Sequence, residues 1–312
     1  MTTPLLRRKR VLAAKVEATS GTAETLTAAE GAFNAYNVIA QADIAVEERE
    51  GQGAFNYLTG VPGQRGGTLS FRVDLGWDGT TTMPSWADVL LPGVGLVETS
   101  QVYSPITEAP GSNVKTLTLA VYMDGVKKTL AGAAGNVVFT FPTGRMAYAD
   151  FTFTGVWQPV TDTAMISPTY PTAAPVRFAS GTATWQSVAQ KVEQIQIDLG
   201  NSVVLRHDPT TAAGYVAALV TNRNPRITCN PESRLVADDD RFGDWIAGTA
   251  GEFLIQCNGA GSSTIEFEAG AAQLLNVQEA ARDDYVVDDL TFLVTKTSNE
   301  DEELLITFTE TP

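Results

Sequence analysis

The sequence predicts an all-β protein with short helices. Three observations carry that expectation. Apolar and polar residues alternate with a period of two over many short stretches, most cleanly at Val38–Glu48 and Val192–Leu205. Turn formers are plentiful, with 27 glycines and 15 prolines, and 44% of residues are hydrophobic, enough for a sizeable core. No long helical apolar pattern appears anywhere.

Taken in order, residues 1–35 read as an N-terminal arm that opens on the basic cluster Arg7, Arg8, Lys9 and Arg10. Val38, Ala40, Ala42, Ile44 and Val46 then share one strand face, and Gln41, Asp43, Ala45 and Glu47 the other. Arg49–Gly67 reads as a long polar connection carrying Phe55, Tyr57 and Leu58, and a connection of that length inside a compact domain is usually functional or disordered. Thr68–Leu75 alternates again, with Leu69, Phe71, Val73 and Leu75 opposite Ser70, Arg72 and Asp74. Pro84–Leu91 reads as a short helix with Trp86, Val89 and Leu90 on one face. Val114–Met123 is a strand ending at the hairpin signal Asp124-Gly125; Val137–Phe141 and Ala147–Thr154 follow.

Residues 156–187 read as a proline-rich linker with a strand near Val176–Trp185. Val192–Leu205 then begins a second unit: a strand with Ile195, Ile197 and Leu199 opposite Gln194, Gln196 and Asp198, a turn at Gly200-Asn201, and a second strand. A connection with Tyr215 and Leu219 leads to a strand at Pro225–Cys229. A short helix at Phe242–Ala247 and strands at Thr264–Glu268, Leu274–Glu279, Val286–Val294 and Leu304–Phe308 complete it. The order of elements echoes the first unit, and Asp-x-Thr-Phe recurs at Asp150–Phe153 and Asp289–Phe292. The chain therefore divides into an arm (1–35), one domain (36–155), a linker (156–187) and a second domain (188–312), one plan used twice.

Composition narrows function. A net charge of −15 argues against a surface that grips nucleic acid. Cys229 and Cys257 make no disulfide framework and read as buried free thiols. No signal peptide and no apolar run of membrane-spanning length is visible, so a protein made and soluble in the cytoplasm is expected. No catalytic constellation is assembled. The single histidine, His207, sits beside Asp208-Pro209 as a turn residue, with no nucleophile elbow elsewhere. Asp238-Asp239-Asp240 lacks the spacing of a calcium loop and reads as a solvated acidic turn before a helix. Gly60–Gly67 lacks the Lys-Ser/Thr of a phosphate loop. No enzyme activity, metal or cofactor is expected.

Four stretches carry a resemblance: RRKRVLAAKVEATSGTAET at the start, the strand Val38–Glu48, GTLSFRVDLG at Gly67–Gly76, and IQIDLGNSVVLR at Ile195–Arg206. Together they resemble the tail tube (major tail) proteins of long-tailed bacteriophages, of the type with two tube domains in one chain. That resemblance implies two tandem β-sandwich domains, each with a flanking helix, contributing strands to an oligomeric β-barrel tube. It implies homotrimeric rings with pseudo-sixfold symmetry that stack into a virion tail. The partners are then further copies of the chain, a tape-measure protein, tail terminator and distal tail or baseplate proteins, and phage DNA passing without sequence-specific contact, with no membrane. Asp43, Glu47, Asp74 and Asp198 become candidates for an acidic lumen lining. Arg7, Arg8, Lys9, Arg10, Phe55, Tyr57 and Leu58 become candidates for contacts between rings. The alternative is a β-sandwich binding or adhesion module on a virion or cell surface.

Overall fold

A computed structural model describes residues 4–53, 55–107, 114–259 and 263–310. Its N-terminal half runs β1 (Arg10–Val16), β2 (Ala35–Glu50), β3 (Tyr57–Asp74), α1 (Ser85–Leu90), β4 (Leu96–Thr99), β5 (Val102–Pro105), β6 (Leu117–Met123), β7 (Val126–Pro142), β8 (Tyr148–Trp157) and β9 (Thr161–Asp162). The C-terminal half runs β10 (Arg177–Trp185), β11 (Val188–Ala189), β12 (Val192–Asp198), β13 (Asn201–His207), β14 (Tyr215–Arg223), β15 (Arg226–Pro231), α2 (Arg241–Ala247), β16 (Ala250–Asn258), β17 (Thr264–Arg282), β18 (Tyr285–Val294) and β19 (Leu305–Thr309). The described chain is thus all-β with short helices.

Local chemistry explains the punctuation. Asp124 and Gly125, at φ 48° and 103°, join β6 to β7 with the left-handed residues that a two-residue hairpin turn requires. Pro84 precedes α1 in an extended conformation, and Trp86 and Leu90, one turn apart, are buried on its inner face. Asp240 caps α2 by accepting from the Gly243 amide at 2.9 Å, and Gly248 ends it in the left-handed region.

The same order of pairings occurs in both halves. In the first it is β1–β6–β7–β8–β3–β2. In the second it is β10–β16–β17–β18–β15–β12. β9 lies beside β7 as β19 lies beside β17. The Asp-x-Thr-Phe echo falls in register with this: Thr152 faces Ser70 and Thr291 faces Thr228. One core cluster takes side chains from both halves, from Leu12 to Phe308.

Several expectations need correction. The N-terminal arm is built into the sheet from Arg10 onward: Val11, Leu12, Ala13 and Ala14 are buried and pair with β6. Small alanines masked the alternation there. The connection at Arg49–Gly67 is mostly strand, because β3 begins at Tyr57 and pairs antiparallel with β2. The turn at Gly200-Asn201 does not fold β13 back on β12. Gly200, at φ 65°, instead redirects the chain, so that β12 pairs with β15 and β13 with β14. Tyr215 and Leu219 belong to β14 rather than to a connection, and Thr264–Glu268 and Leu274–Glu279 are one strand, β17. The strand expected near Val176–Trp185 is present as β10, while the rest of the expected linker supplies the end of β8 and all of β9. β16 is a strand beyond those expected, although Phe253, Ile255 and Cys257 alternate there with Leu254 and Gln256.

Candidate assembly interface

Eight strands follow one another edge to edge across both halves: β17–β18–β15–β12–β7–β8–β3–β2. Strand alternation gives this run two unlike faces. Phe292, Ile227, Ile195, Ile197, Phe139, Phe151, Phe153, Leu69 and Phe71 point into the core and are buried. The opposite face carries Asp289, Arg226, Thr228, Gln196, Asp198, Thr152, Arg72 and Gln41, all half-buried or exposed.

The halves meet at the β12–β7 step, where Gln194–Asp198 pair antiparallel with Pro142–Val138. Behind it, Phe267 of β17 packs on Phe139 and Phe141 at ring distances of 4.9 and 4.8 Å. Each such aromatic pair is worth about 0.5–1.5 kcal/mol beyond area burial. Asp198 accepts from the Asn136 side chain at 2.7 Å and from the Gly200 amide at 2.9 Å, fixing the end of β12 on β7. A second seam lies at β19, which pairs with β5. There Phe308 packs edge-on to Trp77 at 5.2 Å and against Trp86 and Tyr103.

Both ends of the run are unpaired among the described residues. β2 pairs only with β3, leaving its other edge open. β17 is covered by β16 up to Gln273, so Gln278–Arg282 keep one open edge. Beyond Gln41, β2 leaves the core entirely. Ile44 and Val46, with Val61 of β3, are 46%, 59% and 47% exposed, so the apolar stripe of the hairpin continues past the cover that the described residues give it. Exposed apolar surface on an exposed strand edge marks a contact surface.

The other hairpin, β13–β14, does find cover within the chain. Arg65 donates its amide to the Ala213 carbonyl at 3.0 Å, and the Tyr215 hydroxyl bonds Gln64 at 2.8 Å. Gly132, at φ 57°, leaves no room for a side chain, since a Cβ there would meet Ala217 at 2.8 Å. Buried Glu17 secures the platform by accepting from the Gly132 amide at 2.7 Å, the Gly21 amide at 2.8 Å and the hydroxyls of Thr116 and Thr118.

The lumen candidates fall in two groups. Asp43 and Glu47 are exposed on the projecting part of β2. Asp198 is half-buried at the junction. Asp74 is buried beneath Tyr36, whose hydroxyl donates to its Oδ2 at 2.8 Å, and desolvation pushes the Asp74 carboxyl above the usual carboxylate range. The ring-contact candidates also divide. Phe55, Tyr57 and Leu58 are exposed at the hairpin tip, and Arg7 and Arg8 are exposed. Lys9 is tied to Asp124 at 2.5 Å, and Arg10 donates to the Val38 carbonyl at 2.7 Å.

The residue reading missed Asp150 and Asp289 as members of the polar face, although the Asp-x-Thr-Phe echo marked both. Asp150 takes a bidentate contact from Arg72 at 2.9 Å, with that guanidinium 3.7 Å from the Tyr148 ring centre. It also missed the exposed apolar side of α2, where Phe242 and Ile246 stand open while Trp86 and Leu90 of α1 are buried.

Side chains with chemical potential are engaged structurally. His207 Nδ1 lies 2.8 Å from the Gln64 amide nitrogen. Cys229 and Cys257 are buried free thiols, both pushed up to about 12 by desolvation. The expectation of a solvated acidic turn fails at Asp239, which is buried against Arg241 at 2.9 Å; Arg241 also meets Asp288 at 2.5 Å. The described residues contain no cluster of three metal-ligating side chains, and no described helix is long and apolar enough to cross a membrane.

No protein-family model matches the chain, and no curated protein matches it.

Proposed function

We propose that this chain is a structural subunit of a phage-type tail tube. Its two halves act as fused tube domains, three copies close into a pseudo-sixfold ring, and rings stack into a conduit for DNA during ejection. The observation that carries the reading is the eight-strand run, four strands from each half, with a core face, a polar face and an open edge at each end. A sheet of that kind is satisfied by closure with further copies, which removes its edges. The polar face then lines the channel. Asp198, Asp150, Asp289, Asp43 and Glu47 keep that lining from holding phosphate, an effect reaching about 8 Å at physiological salt. The projecting β2–β3 hairpin, with Phe55, Tyr57 and Leu58 at its tip, and the basic N-terminus reach the adjacent ring. Tape-measure, terminator and distal tail proteins bound the tube in the virion.

Electron microscopy of the purified protein, alone and with its tail partners, tests this. Stacked rings of threefold symmetry with a sixfold-like outline are expected, and Asp43→Lys with Glu47→Lys should leave tubes intact while impairing DNA ejection. A monomer that never assembles sinks the proposal. It favours a binding module instead, for which the exposed aromatics at the hairpin tip are the supporting feature.

A further inference from the structure

We infer that one copy joins the next through a β2–β17 pairing in a defined register, with Asn37 opposite Arg282, Ile39 opposite Ala280 and Gln41 opposite Gln278. The inference rests on the self-assembly part of the preceding proposal and specifies its partner surface.

The template is the junction already inside the chain. There β12 lies on the open edge of β7, with Gln194, Gln196 and Asp198 opposite Pro142, Thr140 and Val138. The repeated pairing order gives each of these residues a counterpart. Through β18, Asp289 faces Gln278 as Asp150 faces Val138, so Gln278–Arg282 correspond to Val138–Pro142. Through β15, Gln196 faces Thr228 as Ile39 faces Ser70 in β3, and Asp198 faces Arg226 as Gln41 faces Thr68. The irregular step also coincides: β12 shifts register between Val192 and Ile195, and β2 between Tyr36 and Ile39.

Both counterpart edges are the unpaired ones. β16 stops short of Gln278, as β6 stops short of Val138, and among the described residues the β17 edge has no strand where β7 has β12. The occupant is therefore a second copy presenting β2, antiparallel, as β12 is presented to β7. A head-to-tail contact of this kind uses two different surfaces and propagates until it closes. The apolar side of α2 agrees with it. Trp86 of α1 is covered by Phe308 on β19 of the other half, whereas Phe242 and Ile246 of α2 have no such cover. In the next copy the counterpart of β19 is β9, next to the exposed Val160.

Cysteine pairs test the register. Ile39→Cys and Ala280→Cys are made in separate chains, mixed under assembly conditions and oxidised. Directly opposed residues have Cβ atoms about 4.5–5.5 Å apart, within disulfide reach, so a covalent dimer is expected only in the mixture. Ile39→Cys mixed with Gln278→Cys is displaced by two residues, roughly 7–8 Å on the diagonal, and should link at least tenfold less. Gln196→Cys with Thr140→Cys in one chain is the internal standard and should close within the monomer. Buried Cys229 and Cys257 stay out of the exchange. Rings that assemble without the 39–280 link, or that prefer 39–278, overturn the register and leave the tube proposal standing. In-register rings that never stack support the register and remove the tube. Absence of any assembly overturns both.

Discussion

The outer part of the β2–β3 hairpin and the separate β13–β14 hairpin each extend the last strand pair of a repeated pairing order, β3–β2 and β15–β12, yet they end differently. β13–β14 lies on the N-terminal half, held by Gln64, Arg65 and the bare backbone of Gly132. Outward of Gln64 and Arg65 the β2–β3 hairpin projects into the open among the described residues, with Val46 and Val61 59% and 47% exposed. The difference teaches what the junction between halves supplies. A hairpin that follows a paired strand is covered by the neighbour to which that strand is paired. β12 has such a neighbour in β7, and β2 has none among the described residues.

The comparison can be broken or sharpened by substitution, in order of expected effect on the free chain. Phe139→Ala empties the core behind the β12–β7 step and should cost about 3–5 kcal/mol in denaturant unfolding. A loss below 1 kcal/mol would mean the halves are not joined as described. Gly132→Val sets a branched side chain against Ala217 and should cost about 1–3 kcal/mol. Faster hydrogen exchange confined to β13 and β14 would identify undocking as the cause. Asp74→Asn acts through pH. The buried carboxyl has a raised folded-state pKa, so its favourable contribution is present at acid pH and is lost as pH rises through that value. The stability of the variant relative to the native chain should therefore grow from acid to neutral pH, and a difference flat with pH would refute the burial argument. Ile44→Asp with Val46→Asp should change monomer stability by no more than about 0.5 kcal/mol each while abolishing assembly in sedimentation. Monomer unfolding at lower denaturant would show that the stripe already has cover.

Much of this was legible in the sequence where alternation was strong. Val38–Glu48, Thr68–Leu75 and Ile195–Leu199 were readable as strands because branched and aromatic residues alternate with polar ones. α1 was readable from Pro84 and Trp86. β1 was not, because Ala13 and Ala14 are buried without a hydrophobic signature of their own. The first part of β3 escaped because Gly60, Gly63, Gly66 and Gly67 suggest a loop, although close approach explains two of them: a Cβ on Gly66 would meet Leu205 at 2.7 Å and one on Gly67 would meet Trp157 at 2.6 Å. The polar face was half legible. Asp43 and Glu47 show themselves by alternation, while the burial of Asp74 depends on Tyr36, 38 residues away. No local pattern foretells that β12 pairs with β7, since pairing partners distant in sequence leave no periodic trace.

The β5–β19 seam has a consequence for the order of events on the ribosome. Trp77, Trp86 and Tyr103 emerge early, but the ring that packs among them, Phe308, is synthesised roughly 200 residues after Tyr103, about 10–40 s later at ~5–20 residues per second. During that interval three aromatic side chains wait without their lid. The nascent N-terminal half is thus a sticky, unfinished body, and the emergence of β19, rather than completion of that half, is the moment at which the chain becomes safe to accumulate.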